Sequence, residues 1–256
     1  MNYIVTPLAT RVFFFFDKKA TFHYNIDMHF NNRPLKTKLH KDRKRSESST
    51  RWLQRQINDP YVAEAHRLGL RGRAAFKIQQ LDHQFHFFKP GRRVVDLGCA
   101  PGGWTQIAVK AVHSTPDNPL VVGMDLLPAA PIAGAKLVQM DFTDEQAPKI
   151  LQDLLQGHKA DIVMSDMAAN TTGNHMTDHR RIMNLLKEAY AFAIQVLNPN
   201  GVFIAKIFQG GTENTFLAQM KRDFKMVKHV KPDASRKDSS EFYVVATGFR
   251  GQKDEN

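Results

Sequence analysis

The sequence predicts an α/β fold: one seven-stranded, mostly parallel sheet that ends in an antiparallel hairpin, with helices on both faces. Three observations carry this reading. From Ala74 onward, short β-rich runs alternate with stretches of helical spacing, the pattern of a parallel sheet. The first run leads into a glycine-rich turn, Gly98 to Gly103, and then into a helix start. The last two runs have only a polar turn, Pro232 to Ser240, between them, which pairs them antiparallel.

The elements are taken in chain order. A helix is expected over 74–87, where Ile78, Leu81 and Phe85 fall at i, i+3 and i+7. Strands are expected over 93–97, 120–125, 136–140, 161–165, 202–207, 224–230 and 242–248. Helices are expected over 104–112, 145–156, 178–197 and 213–222. The helix from Asp178 gathers Ile182, Leu185, Leu186, Ala189, Ala193 and Val196 on one face, and Asn198-Pro199-Asn200-Gly201 stops it. Upstream, a short helix is expected over 49–56, and residues 61–65 and 67–73 read as a partly ordered basic stretch. No internal repeat is visible.

Of the 256 residues, 36 are Lys or Arg and 25 are Asp or Glu, giving a net charge of +11 with one cysteine. The length fits one α/β domain with an appendage as well as it fits two domains. A hydrophobic content of 42% with 18 Phe excludes wholesale disorder. One Cys excludes a disulfide framework and a zinc site built on several cysteines; no metal is expected, and a reducing cytoplasm is. No apolar run approaches the roughly 18–20 residues of a membrane span, so no membrane partner is expected.

The charge is uneven. Residues 1–76 hold 15 Lys and Arg against 6 Asp and Glu, a net of +9; residues 77–256 hold 21 against 19, a net of +2. The chain therefore divides into an atypical extension (1–27), a basic arm (28–73), a body (74–250) and a polar tail (251–256). The extension carries the apolar knot Phe13 to Phe16 between Arg11 and Asp17 but lacks the design of a secretory signal. It reads as foreign to the rest of the chain, or as a misassigned start upstream of Met28; mass spectrometry of the native N-terminus distinguishes the two. A basic run is either a solvated tail or a phosphate-binding surface.

The strand ends carry the chemistry. The first strand closes in Asp96-Leu97-Gly98-Cys99-Ala100-Pro101-Gly102-Gly103-Trp104, a turn that aims backbone N–H groups at a ligand. Its spacing, Gly98-x-Ala100-x-x-Gly103, is a weak dinucleotide fingerprint. Pro101 suits an adenosyl amino acid better than a pyrophosphate. Asp125 ends the second strand, where a carboxylate can hold ribose hydroxyls. Asp141 follows the third, where one can accept from an adenine amino group. Any of these alone is as readily a loop cap, but at successive strand ends they describe a site for S-adenosyl-L-methionine. Cys99, with no basic partner beside it in sequence, reads as a small filler.

The fourth strand ends in Met164-Ser165-Asp166, and the fifth carries Lys206 within Ile204-Ala205-Lys206-Ile207-Phe208. A lysine in so apolar a strand is costly unless paired. Lys77 on the first body helix and Glu241 opening the last strand stand out beside it, although each alone would pass for a surface charge.

The blocks DLGCAPGGWTQ, SDMAANTTG, AKIF and SSEFYVVATGF, with RAAFK upstream, resemble the FtsJ/RrmJ (RlmE) family of 2′-O-ribose methyltransferases in order and spacing over residues 36–250. The resemblance implies a Rossmann-like class I S-adenosylmethionine-dependent methyltransferase. It implies a catalytic tetrad of Lys77, Asp166, Lys206 and Glu241, with cofactor contacts at Gly102, Trp104, Asp125, Asp141 and Asp166. No tetrad member is missing. For the bacterial RlmE group it implies a uridine in the A-loop of 23S rRNA on the assembled 50S subunit; related members act on tRNA anticodon loops, mitochondrial large rRNA or mRNA caps. A nucleotide-binding or RNA-binding module without catalysis is opposed by the intact tetrad. An oxidoreductase using NAD is opposed by Pro101 and the paired lysines.

Lys206 has two readings. Burial and Lys77 would lower its pKa toward that of a base, whereas Asp166 and Glu241 would keep it charged as a positioner of the 2′-hydroxyl. The arm, residues 33–73, is expected to grip RNA phosphates, which positions a strand without reading its sequence.

Overall fold

The computed structural model describes residues 46–168, 175–208 and 214–251. Expectations for the extension, for the basic residues before Ser46, for residues 169–173 of the SDMAANTTG block, for Glu213 at the expected start of a helix and for the tail from 252 lie outside the described residues.

In chain order the elements are α1 (Glu47–Ile57), α2 (Pro60–Arg67), α3 (Ala74–Phe85), β1 (Val94–Leu97), α4 (Gly103–Ala111), β2 (Val121–Asp125) and β3 (Ala135–Gln139). Then come α5 (Ala147–Leu154), β4 (Ala160–Ser165), α6 (His175–Val196), β5 (Leu197–Phe208), α7 (Asn214–Asp223), β6 (Phe224–Val230) and β7 (Glu241–Phe249). The strands form one seven-stranded sheet in the order β3-β2-β1-β4-β5-β7-β6. β1 to β5 run parallel, and β7 lies antiparallel between β5 and β6. This is the predicted fold.

Three local expectations differ from what is observed. α2 is a full helix, because Asp59 caps it by accepting from Tyr61 N at 3.0 Å and Pro60 is pre-set for the first turn. β5 begins at Leu197, not 202: the Asn-Pro-Asn-Gly signal does stop α6, but the strand pairs Ala160 with Leu197 and then Ile162 with Val202. The turn residues are thus a bulge inside the strand, with Asn200 left-handed at φ 64°. α5 is shorter than expected; the Asp144 carboxylate takes the N–H of Gln146 and its carbonyl takes that of Ala147, so a turn occupies the predicted first residues.

Side-chain parity along the strands sets both the core and the site. Val95, Leu97, Val163, Phe203, Ala205, Ile207, Val244 and Ala246 pack with α5, α6 and α7 on one face. Val94, Ile162, Met164, Val202, Ile204, Tyr243 and Val245 pack with α3 and α4 on the other. Residues two apart on a strand share a face. Asp96 therefore follows Val94, Asp166 follows Met164 and Lys206 follows Ile204 onto the α3/α4 side. Because β7 is antiparallel, its first residues return to the carboxyl edge of the parallel strands, with Phe208 opposite Glu241 and Lys206 opposite Tyr243. One face of one edge thus collects the polar residues that the apolar strands carry.

Candidate active site

Four elements converge there. Lys77 projects from α3, Asp166 follows β4, Lys206 lies on β5 and Glu241 opens β7. The Lys77 ammonium stands 2.5 Å from Glu241 Oε1. The Lys206 ammonium lies 2.8 Å from Asp166 Oδ1 and 4.0 Å from Glu241 Oε2, and donates to the Asp166 backbone carbonyl at 2.8 Å. The structure thus brings together all four residues expected to act together. Their side chains are largely buried, Lys206 at 9% exposure and Glu241 at 16%, so the two carboxylates offset two ammonium charges where solvent could not.

A fifth residue completes the cluster. Tyr243, fully buried, has its hydroxyl 2.8 Å from Asp166 Oδ1, 2.9 Å from Glu241 Oε1 and 3.2 Å from Lys77 Nζ. It accepts from Lys77 and has one proton to offer the two carboxylates. Its ring tilts against Trp104 at 5.5 Å, and the Trp104 indole N–H donates to the Ala74 carbonyl at 2.8 Å, which ties α4 to the start of α3. Sequence reasoning missed Tyr243, because an aromatic in a strand reads as core. The available signal was its place two residues after Glu241, on the same face.

The electrostatics favour the second reading of Lys206, a charged positioner. Burial draws its pKa down, but Asp166 and Glu241 push harder in the other direction, and the net shift is upward. Lys206 is therefore an ammonium in the resting protein. Burial raises the Glu241 carboxyl, yet the charges of Lys77 and Lys206, with hydrogen bonds from Lys77 and the Tyr243 hydroxyl, bring it below its usual range. Burial and the two carboxylates raise the Tyr243 hydroxyl well above the usual phenol, so it remains protonated.

Beside this cluster lies the crevice at the ends of β1 and β2. Asp125 accepts from Ala100 N at 2.8 Å through one oxygen and from Leu127 N at 2.8 Å through the other, which joins the loops after both strands. Gly98, at φ 76°, approaches so closely that a Cβ there would lie 2.8 Å from Met167 N. A glycine here brings the β1 loop against the segment that carries Asp166. Asp96 is fully buried; one oxygen accepts from Thr105 Oγ1 at 2.6 Å and the other has no hydrogen-bond partner. Burial raises its carboxyl to about 7, opposed by Thr105 and reinforced by Asp166 and Asp125. Asp141 is exposed and caps Thr143, accepting its N–H at 2.9 Å and its hydroxyl at 2.8 Å. Cys99 is buried against Gly123, and burial together with Asp96 and Asp125 raises its thiol pKa, so it is no thiolate.

Two arginines of the basic arm turn inward. Arg73 pairs with Asp59 and donates to the Ala234 carbonyl; Arg236 lies 3.5 Å from the same Asp59 carboxylate. α2 and the β6–β7 connection are thereby joined over α3, four residues before Lys77. Arg71 donates to the carbonyls of Pro101, Ala130 and Pro131. The expectation that residues 33–73 form a single RNA grip needs refining: at least these two cations are engaged by the protein itself.

A mostly parallel α/β sheet with a glycine turn, carboxylates at successive strand ends and a buried Lys-Asp-Lys-Glu cluster defines a methyltransferase class. The model of FtsJ-like methyltransferases matches residues 70–249, and the chain belongs to that family. Among its relatives, a chain from Azorhizobium caulinodans described as Ribosomal RNA large subunit methyltransferase E is 55% identical over 222 residues, covering 87% of this chain and 92% of that one. A chain of the same description from Paramagnetospirillum magneticum is 56% identical over 225 residues, with the same two coverages of 87% and 92%. A crystal structure from Plasmodium falciparum, described as a ribosomal RNA methyltransferase, superposes with a TM-score of 0.61 at 28% identity, covering 71% of this chain and 100% of that one.

Proposed function

We propose that this chain transfers a methyl group from S-adenosyl-L-methionine to the ribose 2′-hydroxyl of a uridine in the A-loop of 23S rRNA, within the 50S subunit. The observation that carries the proposal is the joint burial of Lys77, Asp166, Lys206 and Glu241 at one sheet edge, in a chain that is 55% and 56% identical, over 222 and 225 aligned residues, to relatives named for large-subunit rRNA.

The donor fits the crevice chemically. A sulfonium and an α-ammonium are cations, and the carboxylates of Asp125 and Asp166 at the ends of β2 and β4 would offset them, with Asp96 buried close to both. Gly102 and the Trp104 backbone would line the amino acid end, Asp125 the ribose and the remaining oxygen of Asp141 the adenine. When bound, the donor supplies an already activated methyl group, so the protein's work is alignment and proton handling.

Lys206 and Lys77 would offset the negative charge that builds on a 2′-oxygen as its proton passes to solvent and the oxygen takes up the methyl group. Lys206, fixed by Asp166, stabilises that oxygen as an ammonium. Glu241 holds Lys77 and moderates both charges. Incubating the protein with labelled S-adenosylmethionine and 50S subunits, free 23S rRNA or tRNA, then mapping 2′-O-methylation, tests the proposal. Label on a 23S uridine is expected; label confined to tRNA, or none, rejects it.

A further inference from the structure

Arg71 stands where the basic arm ends and the body begins, and composition alone makes it one more phosphate contact. Its surroundings say otherwise. Nη1 donates to the Pro101 carbonyl at 3.0 Å and the Ala130 carbonyl at 2.5 Å, and Nη2 donates to the Pro131 carbonyl at 2.7 Å. Three of the five guanidinium donors, including both on Nη1, are committed to backbone. Pro101 belongs to the loop after β1, Ala130 and Pro131 to the loop after β2. These are the two loops that Asp125 joins from below, through Ala100 N and Leu127 N.

The sequence makes room for the guanidinium. Gly102 has φ 114°, and a Cβ there would lie 2.8 Å from Arg71 Nη1 and 2.8 Å from Ile132 Cδ1. The backbone that carries Arg71 is itself held, since Arg71 N donates to Gln106 Oε1 at 2.8 Å and Gln106 Nε2 donates to the Gly69 carbonyl at 3.2 Å. Gln106 lies on α4, the helix that the β1 loop opens.

We propose that Arg71 is a positioning residue for the methyl donor, a clasp that fixes the separation of the β1 and β2 loops, and not a phosphate contact for RNA. The inference rests on the reading that this crevice holds S-adenosylmethionine. A lysine at 71 keeps the charge but cannot span three carbonyls from one planar fork. Arg71→Lys therefore loses the clasp while leaving any simple electrostatic attraction to RNA in place.

The test compares wild type, Arg71→Lys, Arg71→Gln and, as a control, Asp125→Asn. The readouts are S-adenosylhomocysteine binding by calorimetry, KM for each substrate, and RNA affinity across a salt series. Both Arg71 variants are expected to weaken S-adenosylhomocysteine about tenfold, as the loss of charge-assisted hydrogen bonds implies, and to raise KM for the donor. In Arg71→Lys, RNA affinity and its salt slope stay at wild-type values. Unchanged S-adenosylhomocysteine binding in a folded Arg71→Lys overturns the proposal, whether the variant is merely less heat-stable or loses RNA affinity. If wild type itself does not bind S-adenosylhomocysteine, the donor-site reading falls. If wild type binds and only Asp125→Asn loses affinity, that reading stands and the clasp alone is rejected.

Discussion

Lys206 and Asp166 are joined twice. The lysine ammonium donates to the Asp166 backbone carbonyl at 2.8 Å and stands 2.8 Å from its side-chain Oδ1. One cation thus fixes the direction in which the chain leaves β4 as well as the orientation of the carboxylate. Two of its three donors are taken up in this way.

Lys206→Ala is expected to reduce kcat by about 10²–10⁴-fold, the usual worth of a group that handles a reacting proton or its charge. S-adenosylhomocysteine binding should persist. Single-turnover methylation and calorimetry on one preparation check both halves, and near-normal turnover would remove Lys206 from the mechanism.

Tyr243→Phe keeps the ring against Trp104 but removes the hydroxyl between Asp166, Glu241 and Lys77. The expected stability cost is about 1–2 kcal/mol, from a lost hydrogen bond that leaves buried partners less satisfied. Turnover should fall while KM for the donor stays constant, since the hydroxyl reaches no residue of the donor crevice other than Asp166. Denaturant unfolding and steady-state kinetics read the two effects separately.

Two carboxyls at the site contribute to the pH dependence of stability with opposite sign. Glu241 has a folded pKa below its unfolded value of 4.5, so its contribution is present above 4.5 and is lost as the pH falls through the folded value. Glu241→Gln should flatten the acid side of a thermal-midpoint profile. Asp96 has its folded pKa raised from 3.8 to about 7. The folded protein then holds a proton that the unfolded chain releases, so this contribution is full below 3.8 and is lost as the pH rises through about 7. Asp96→Asn should flatten the profile between those limits; an unchanged slope there would contradict the buried, half-satisfied carboxyl.

Removal of residues 28–45 should raise the apparent KM for RNA and make its salt dependence shallower by about 0.7–0.9 in log–log slope per lost phosphate contact. Rates that match wild type at every salt concentration would make this run a solubility tail.

The regular parts of the fold were legible because apolar runs and their turns mark strands directly. Most strand boundaries fall within a residue of expectation, and β6 is as expected. The bulge in β5 was not legible, since Asn198 to Gly201 carry every mark of a terminator and only pairing with β4 shows that the strand resumes. The α2 helix reads in sequence only as a partly ordered basic stretch; the signal that could have found it is Asp59-Pro60, a cap followed by a first-turn proline. Lys206 stood out because it breaks an apolar strand, whereas Lys77 and Glu241 alone would pass for surface charges and are joined to Asp166 by the family's motif blocks. Tyr243 breaks no apolar pattern, so its hydroxyl partners had to come from geometry. Arg71 and Arg73 show the converse limit: charge count reveals an excess of cations but not which of them the protein keeps for itself.

The position of β7 has a consequence for the site. The strand made last is not an edge strand; it slides between β5 and β6 and brings Glu241 and Tyr243 with it. Without β7 the parallel strands β1 to β5 can still pair, yet two of the five polar residues of the cluster are missing. The cluster is therefore complete only when β7 has paired between β5 and β6, so the site depends on the last strand of the sheet.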